Sequence, residues 1–298
     1  MILCFDVGGT QIKAGLFSDA GGAPLCMREF PSYAERSCGE ITAHLAEIAA
    51  ALYSTAPHTP LRAILLAFPG PFDYDRGICY MQGINKYDAL YGQPLGALLR
   101  KAVCALLPGQ FSPRLLIRFV NDVSAFAYGF LYGGAVPVAA GARSLYICIG
   151  TGCGSAFAVG QRLVGAEVAG VPENGYLYPT PFRGGILDEY LSKRGLLAIT
   201  RAAFGHGVEG LELSGLAAGG DAAALQCFAV FGQNLADGLA PFVVGFAPQT
   251  LVIGGQIVKS GQYFLAPLRR LCTANGAALL TEDNTSLRSM RGMLAKNT

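Results

Sequence analysis

The stretch FDVGGTQIKAGLF, Phe5 to Phe17, sets the reading of the whole chain. Two apolar runs, Ile2–Phe5 and Ala14–Phe17, flank a turn that carries Asp6, Gly8, Gly9, Thr10 and Lys13. Short apolar runs bounded by glycine predict strands, so this turn joins a strand to a strand. A Rossmann or Walker phosphate loop must instead open a helix, and no G-x-x-x-x-G-K-[ST] occurs in the chain. Glycine, lacking a Cβ, lets backbone N–H groups come close to a phosphate. Thr10 adds a hydroxyl and Lys13 a cation, while Asp6 at the strand end is placed to hold Mg²⁺ directly or through water. An ordinary glycine hairpin shares this local pattern.

The pattern recurs. ICIGTGCGSAFAV, Ile147 to Val159, is again strand, Gly/Thr turn, strand, with Gly150, Thr151, Gly152 and Gly154 in the glycine-rich segment. Further strands are predicted at Arg62–Phe68, Leu115–Val120 and Thr250–Ile253. Helices are predicted at Gly39–Tyr53, Pro94–Leu107, Asp122–Tyr132, Ile186–Phe204, Asp221–Phe246, Tyr263–Ala274 and Ser286–Leu294. Alternating strands and helices indicate an α/β fold. Two glycine-rich hairpins half a chain apart imply two similar α/β domains around a central cleft. The expected division is a smaller N-terminal domain, 1–118, joined by the terminal helix 286–298, and a larger domain, 119–285, that carries Asp122.

Composition narrows the function. The chain has 298 residues, 14% of them charged, and a net charge of +2, which lacks the basic footprint of a nucleic-acid binder. Mean hydropathy is +0.40, yet a spanning helix needs ~20 apolar residues. The most apolar run, Leu239–Pro248, is shorter and holds two prolines. No basic segment precedes the first strand, so a cytoplasmic protein without membrane contact is expected. Nine cysteines at irregular spacing, without C-x-x-C, and His44, His58 and His206 far apart give neither a disulfide nor a metal pattern.

Five segments together resemble the ROK family of sugar kinases and sugar-responsive repressors. They are DVGGTQIKAGLF, FPGPFD (Phe68–Asp73), VNDVSAFAYG (Val120–Gly129), IGTGCG (Ile149–Gly154) and LVIGGQIVKSG (Leu251–Gly261). The resemblance implies the actin-like, ribonuclease H-like ATPase fold, ATP with Mg²⁺, and a homodimer. It implies transfer of the γ-phosphoryl of ATP to a hydroxyl, with the 6-OH expected, of a hexose or hexose derivative. Asp122, at the mouth of the sheet where a strand meets a helix, would be the general base. Its residue type also suits a helix N-cap, and a helix N-terminus favours the ionised form. By resemblance, Gly70, Asn85, Asn121, Glu173, Tyr176 and Asp188 would bind sugar, and Gly254 and Gly255 would bind adenosine.

Two departures stand out. Family members with zinc carry E-x-G-H and then a C-x-C-x(4)-C cluster. Here Tyr176 replaces the histidine and Leu177–Ser192 contains no cysteine, so no zinc is expected and the loop Tyr178–Gly185 takes the place of the zinc knuckle. The first strand begins at Ile2, so the helix-turn-helix domain of the ROK repressors is not expected. The rival readings are a weakly catalytic sugar-binding regulator and an activator ATPase coupled to a partner enzyme.

Overall fold

A computed structural model describes residues 1–19, 21–56, 59–83, 85–134 and 138–297. The chain divides into two compact units of equal length, Met1–Val136 with Ser286–Thr298, and Pro137–Thr285.

The first unit opens with β1 (Ile2–Val7), β2 (Gln11–Phe17), β3 (Cys26–Pro31), α1 (Cys38–Tyr53) and β4 (Leu61–Phe68). A short hairpin, β5 (Phe72–Asp73) with β6 (Ile78–Cys79), then leads to α2 (Leu95–Leu106), β7 (Phe111–Asn121) and α3 (Asp122–Leu131). Its sheet runs in the order β3-β2-β1-β4-β7. β1 is antiparallel to β2 and parallel to β4, and β4 is parallel to β7. The carboxyl ends of β1, β4 and β7 therefore lie together, the edge at which open α/β sheets bind ligands.

Side chains alternate across a strand, so unbroken apolar runs serve two cores. Leu3, Phe5, Val7, Ile64, Leu66 and Phe68 pack with α1 and α2 residues such as Leu45, Leu52 and Leu99. Cys4, Ala63, Leu65 and Ala67 face the other way, with Ala125 of α3. Ser37 caps α1 with a full capping box to Glu40.

The second unit repeats the plan with β8 (Arg143–Ile149), β9 (Cys153–Val159), β10 (Arg162–Val164), the hairpin β11 (Pro181–Phe182) and β12 (Gly185–Ile186), then α4 (Leu187–Tyr190), α5 (Lys193–Phe204), α6 (Gly210–Ala218), α7 (Ala222–Phe246), β13 (Thr250–Gly254), α8 (Gly261–Phe264), α9 (Ala266–Ala274) and β14 (Ala278–Glu282). The sheet order is β10-β9-β8-β13-β14, with the same parallel and antiparallel pairings as its counterpart. The echo between the two glycine hairpins thus reflects two sheets of one topology. The last helix, α10 (Thr285–Asn297), returns to the first unit, where Met290, Met293 and Leu294 complete the second core.

Several boundaries differ from the sequence reading. A division at 118 cuts β7, which pairs with β4 as far as Asn121. The first unit continues through α3, so Asp122 belongs to it, and neither unit is the smaller. The helix expected over Ile186–Phe204 breaks after Tyr190 because the Lys193 N–H leaves the helical ladder for the Gly150 carbonyl, 3.0 Å away. Leu239–Pro248 is no isolated run. Its first part lies in α7, which continues through Pro241. By length and composition α7 is apolar enough to cross a membrane, but Phe228, Phe231, Leu235, Leu239 and Val243 on it are wholly buried in the core of the second unit.

Candidate active site

In the first unit the β1–β2 turn closes on itself. The Gly8 N–H donates to the Gln11 carbonyl at 2.9 Å, so it is spent within the turn and does not point outward as a phosphate donor. The turn is braced from elsewhere. Ser32 donates its hydroxyl to the Gly9 carbonyl (2.8 Å) and its N–H to the Thr10 carbonyl (3.0 Å), and the Tyr87 hydroxyl donates to the Gly8 carbonyl (2.8 Å). Asp6 and Lys13 are cross-strand partners in β1 and β2. Burial raises the Asp6 carboxyl above its ordinary value, and the Ser286 hydroxyl and Lys13 pull it partly back. Ser286 arrives on α10, 280 residues along the chain, and no local signal in the sequence announces it.

At the end of β7, Asn121 caps α3 by accepting the Ser124 N–H at 3.0 Å, leaving Asp122 as the first helical residue. The capping role that the sequence allows for Asp122 therefore falls to its neighbour. The Asn121 amide also donates to Asp122 Oδ1 (3.1 Å) and to the Tyr74 hydroxyl (3.2 Å), which itself donates to the Phe68 carbonyl (3.1 Å). Asn121 is engaged in shaping the carboxylate, where the resemblance has it bind sugar. A Cβ at Gly70 would come within 3.0 Å of the same Tyr74 hydroxyl. Asp122 Oδ1 also accepts the Val123 N–H at 2.9 Å.

The helix N-terminus does not decide the charge of Asp122. Burial, with the Asp6 carboxylate adding to it, pushes the Asp122 carboxyl up to about 6, against smaller opposing pulls from the Val123 N–H and Lys86. Desolvation outweighs the local dipole here. A carboxyl poised near neutral pH suits proton acceptance. Asn85, at φ 56°, is exposed and precedes Lys86. Lys86 itself, a residue that the motifs do not single out, lies over Gly9.

In the second unit the β8–β9 turn is held just as firmly. The Gly150 N–H donates to the Gly152 carbonyl at 2.9 Å, again inside the turn. Asp188 is buried beneath it. Oδ1 accepts the Cys153 N–H at 2.6 Å, and Oδ2 pairs with the Arg194 guanidinium. Oδ1 of Asp188 thus serves the turn and Oδ2 is held by Arg194 of α5, where the resemblance assigns this acid to sugar. Gly154 and Gly254 lie inside β9 and β13 and both pair with Cys148. Gly255 has φ 115°, and a Cβ there would meet the Ile149 carbonyl at 2.0 Å, so only glycine lets the end of β13 lie against the end of β8.

Asp188→Ala separates the two roles. Stranding the buried Cys153 N–H is expected to cost about 1–3 kcal/mol of stability. If ATP and sugar are the substrates, as the resemblance implies, the KM for ATP should rise while the KM for sugar stays within about twofold, since a twofold change is only a small fraction of a lost hydrogen bond. Steady-state kinetics on both substrates checks this. A rise confined to the sugar KM would return Asp188 to sugar binding.

Glu173 opens, and Tyr176 follows, a 3₁₀ turn that Ser155 pins to β9. The Ser155 hydroxyl donates to the Gly175 carbonyl (2.7 Å) and accepts the Leu177 N–H (2.8 Å). Glu173 is exposed, and half-buried Tyr176 sits with its ring 6.0 Å from that of Tyr178. The loop Tyr178–Gly185 folds as the β11–β12 hairpin, with Arg183 and Gly184 at positive φ at its tip. Arg183 pairs with Asp237 of α7 at 2.5 Å, and the Tyr190 hydroxyl donates to the Arg183 carbonyl at 2.8 Å. Among the described residues no group of three or more His, Cys, Asp or Glu side chains is placed to hold a metal ion. His58 lies outside the described residues.

The two sheets of one topology form the actin-like α/β fold. A ROK hexokinase from Thermus thermophilus superposes with a TM-score of 0.71 at 24% identity, over 99% of this chain and 96% of that one. A ROK family glucokinase from Streptomyces griseus, in complex with glucose and AMPPNP, gives a TM-score of 0.75 at 20% identity, over 98% and 97%. A ROK family transcriptional regulator, a homolog of the E. coli MLC protein, gives 0.75 at 16% identity, over 99% of this chain and 77% of that one. No curated protein matches the sequence. The ROK family model matches residues 2–285, nearly the whole length, and the chain belongs to the ROK family.

Proposed function

We propose that the protein is an ATP-dependent sugar kinase that transfers the γ-phosphoryl of ATP to a hydroxyl of a hexose or hexose derivative, with the 6-OH as the expected acceptor. The observation that carries this reading is the gathering of Asp6, Lys13 and Asp122 at the carboxyl ends of β1 and β7, around a strand–turn–strand glycine loop. Asp122 is the base. With Oδ1 committed to Val123 and Asn121, Oδ2 takes the proton of the attacking hydroxyl. Asn121 and Tyr74 fix the carboxylate's orientation. Base catalysis of this kind contributes ~10²–10⁴-fold, and positioning of phosphate and metal supplies most of the remainder.

The residues fit Mg²⁺. Asp6 is a half-buried, poorly solvated carboxylate whose charge Ser286 and Lys13 only partly offset, and a cation held directly or through water would complete that balance. When bound, the metal would neutralise phosphate charge. Gly9 and Thr10 in the first turn, and separately Thr151 and Gly152 in the second, are the positions proposed for phosphate contact. Asn85, Glu173 and Tyr176 are the candidates for sugar hydroxyls, a set suited to a neutral polyol. Gly255 and its neighbours would face adenosine.

The test is ADP release from Mg²⁺-ATP, with and without hexoses, N-acetylhexosamines and β-glucosides. The kinase reading expects strong stimulation by at least one of them. ATP binding that no sugar converts to turnover would support the regulator reading instead, and ATP hydrolysis indifferent to all sugars an activator ATPase.

A further inference from the structure

The candidate active site contains a cation that no motif accounts for. Lys86 lies in the segment between β6 and a 3₁₀ turn at Asp88–Leu90, and its side chain crosses the first glycine turn. Its Cδ comes within 3.1 Å, and its Nζ within 4.0 Å, of where a Cβ at Gly9 would stand.

The backbone under Lys86 is held for this placement. Asn85 and Tyr87 on either side of it both adopt positive φ, 56° and 58°. For residues with a Cβ this conformation is costly and persists where the surroundings enforce it. The enforcing contacts are visible. The Tyr87 side chain is buried and its hydroxyl donates to the Gly8 carbonyl, while the Tyr87 N–H donates to the Ala34 carbonyl at 2.6 Å. The Asn85 N–H donates to Asp88 Oδ2 at 3.2 Å. One residue, Tyr87, thus ties the segment to the turn that Lys86 crosses.

The charges around Lys86 do not explain it as a structural ion pair. It makes no salt bridge within 4.0 Å to a described carboxylate, although its field reaches Asp122. A half-buried lysine set over a glycine turn, its field reaching the carboxylate expected to accept a proton, has the disposition of a ligand for a third party. Phosphoryl transfer spreads negative charge over the equatorial oxygens of the moving group, and stabilising that charge is the main demand made of the protein.

We infer that Lys86 is a further catalytic residue, whose ammonium contacts the γ-phosphoryl group of ATP over Gly9 and distinguishes ATP from ADP. This rests on the kinase reading for its effect on rate, but not for its effect on nucleotide affinity.

The experiment therefore measures binding as well as turnover. Wild type, Lys86→Met and Lys86→Arg are titrated calorimetrically with Mg²⁺-ADP and with Mg²⁺-AMPPNP. Lys86→Met should weaken AMPPNP by about tenfold, the worth of one charge-assisted hydrogen bond, and change ADP by less than about twofold. Lys86→Arg should recover most of the loss, and all three melting temperatures should agree. With a stimulating sugar, the kcat of Lys86→Met should fall at least about tenfold at unchanged sugar KM. Equal loss for ADP and AMPPNP, no loss for either, or a loss that arginine does not rescue would overturn the assignment. Absence of sugar-dependent turnover in wild type would sink the kinase reading alone, and the ADP-against-AMPPNP comparison would still decide the role of Lys86.

Discussion

Asp122→Asn is expected to abolish sugar phosphorylation and to stabilise the folded chain at neutral pH. The loss of rate should be ~10²–10⁴-fold, because Asn keeps the side chain's shape and its hydrogen bond to the Val123 N–H but cannot accept the proton. Sugar affinity should survive. The gain in stability follows from the same burial that makes Asp122 a base. Its carboxyl sits at about 6, above the usual 3.8, so folding favours the protonated form. That favourable contribution is complete below about pH 4 and is lost as pH rises through about 6. At pH 7 the wild-type chain holds an ionised, poorly solvated carboxylate at a cost of about 1–3 kcal/mol, which the neutral amide avoids. Melting temperatures of variant and wild type, taken without nucleotide, should converge near pH 4 and separate as pH rises, with the variant higher. The kcat/KM of wild type should fall on the acid side with a midpoint near 6. A variant that is inactive but no more stable than wild type at pH 7 would contradict the electrostatic account.

Gly292→Ala is expected to loosen the first unit. A Cβ on Gly292 of α10 would stand 2.3 Å from the Gly129 nitrogen and 2.5 Å from the Ala125 carbonyl oxygen, both on α3. These are backbone atoms, so no rotamer change relieves the overlap and the two helices must separate. Met290, Met293 and Leu294 would then withdraw from the core beneath the sheet. Overpacking of this kind costs about 1–3 kcal/mol, against up to about 1 kcal/mol gained from helix propensity. The urea midpoint should therefore fall. Gly215→Ala is the control. Gly215 is exposed in α6 with nothing within 4 Å of a Cβ, and its midpoint should rise. Because Ser286 rides on α10 and bonds Asp6, Gly292→Ala should also weaken Mg²⁺-nucleotide binding.

Much of the architecture was legible because it rests on local patterns. The runs at Ile2, Arg62, Ser144 and Thr250 are apolar on both faces, as strands buried between two layers must be. The repeat between Phe5–Phe17 and Ile147–Val159 exposed the doubled topology before any pairing was known. The elements missed are those whose burial is partial. β3 reads CMREFP, with Arg28, Glu29 and Pro31 exposed at the sheet edge, and β14 reads ALLTE at the opposite edge of the other sheet. Such edges carry little apolar signal.

The site was legible in its motifs but not in its connections. Asp6, Asn121 and Asp122 stand where strand ends place them. Which hydrogen bond each makes depends on residues far away in sequence, such as Tyr74 under Asn121, Ser286 beside Asp6 and Arg194 against Asp188. Asn121 and Asp188 are accordingly more committed to holding their surroundings than their residue types alone suggest.

The most direct measurement is identification of the product. Wild type and Asp122→Asn are incubated with Mg²⁺-ATP and each member of the sugar panel, and the sugars are read by mass spectrometry and phosphorus NMR. The account predicts a sugar monophosphate, carrying phosphate on its 6-hydroxyl, from wild type with at least one sugar and only a trace from the variant. Phosphate appearing only as the free ion, or equal amounts of sugar phosphate from both proteins, would contradict it.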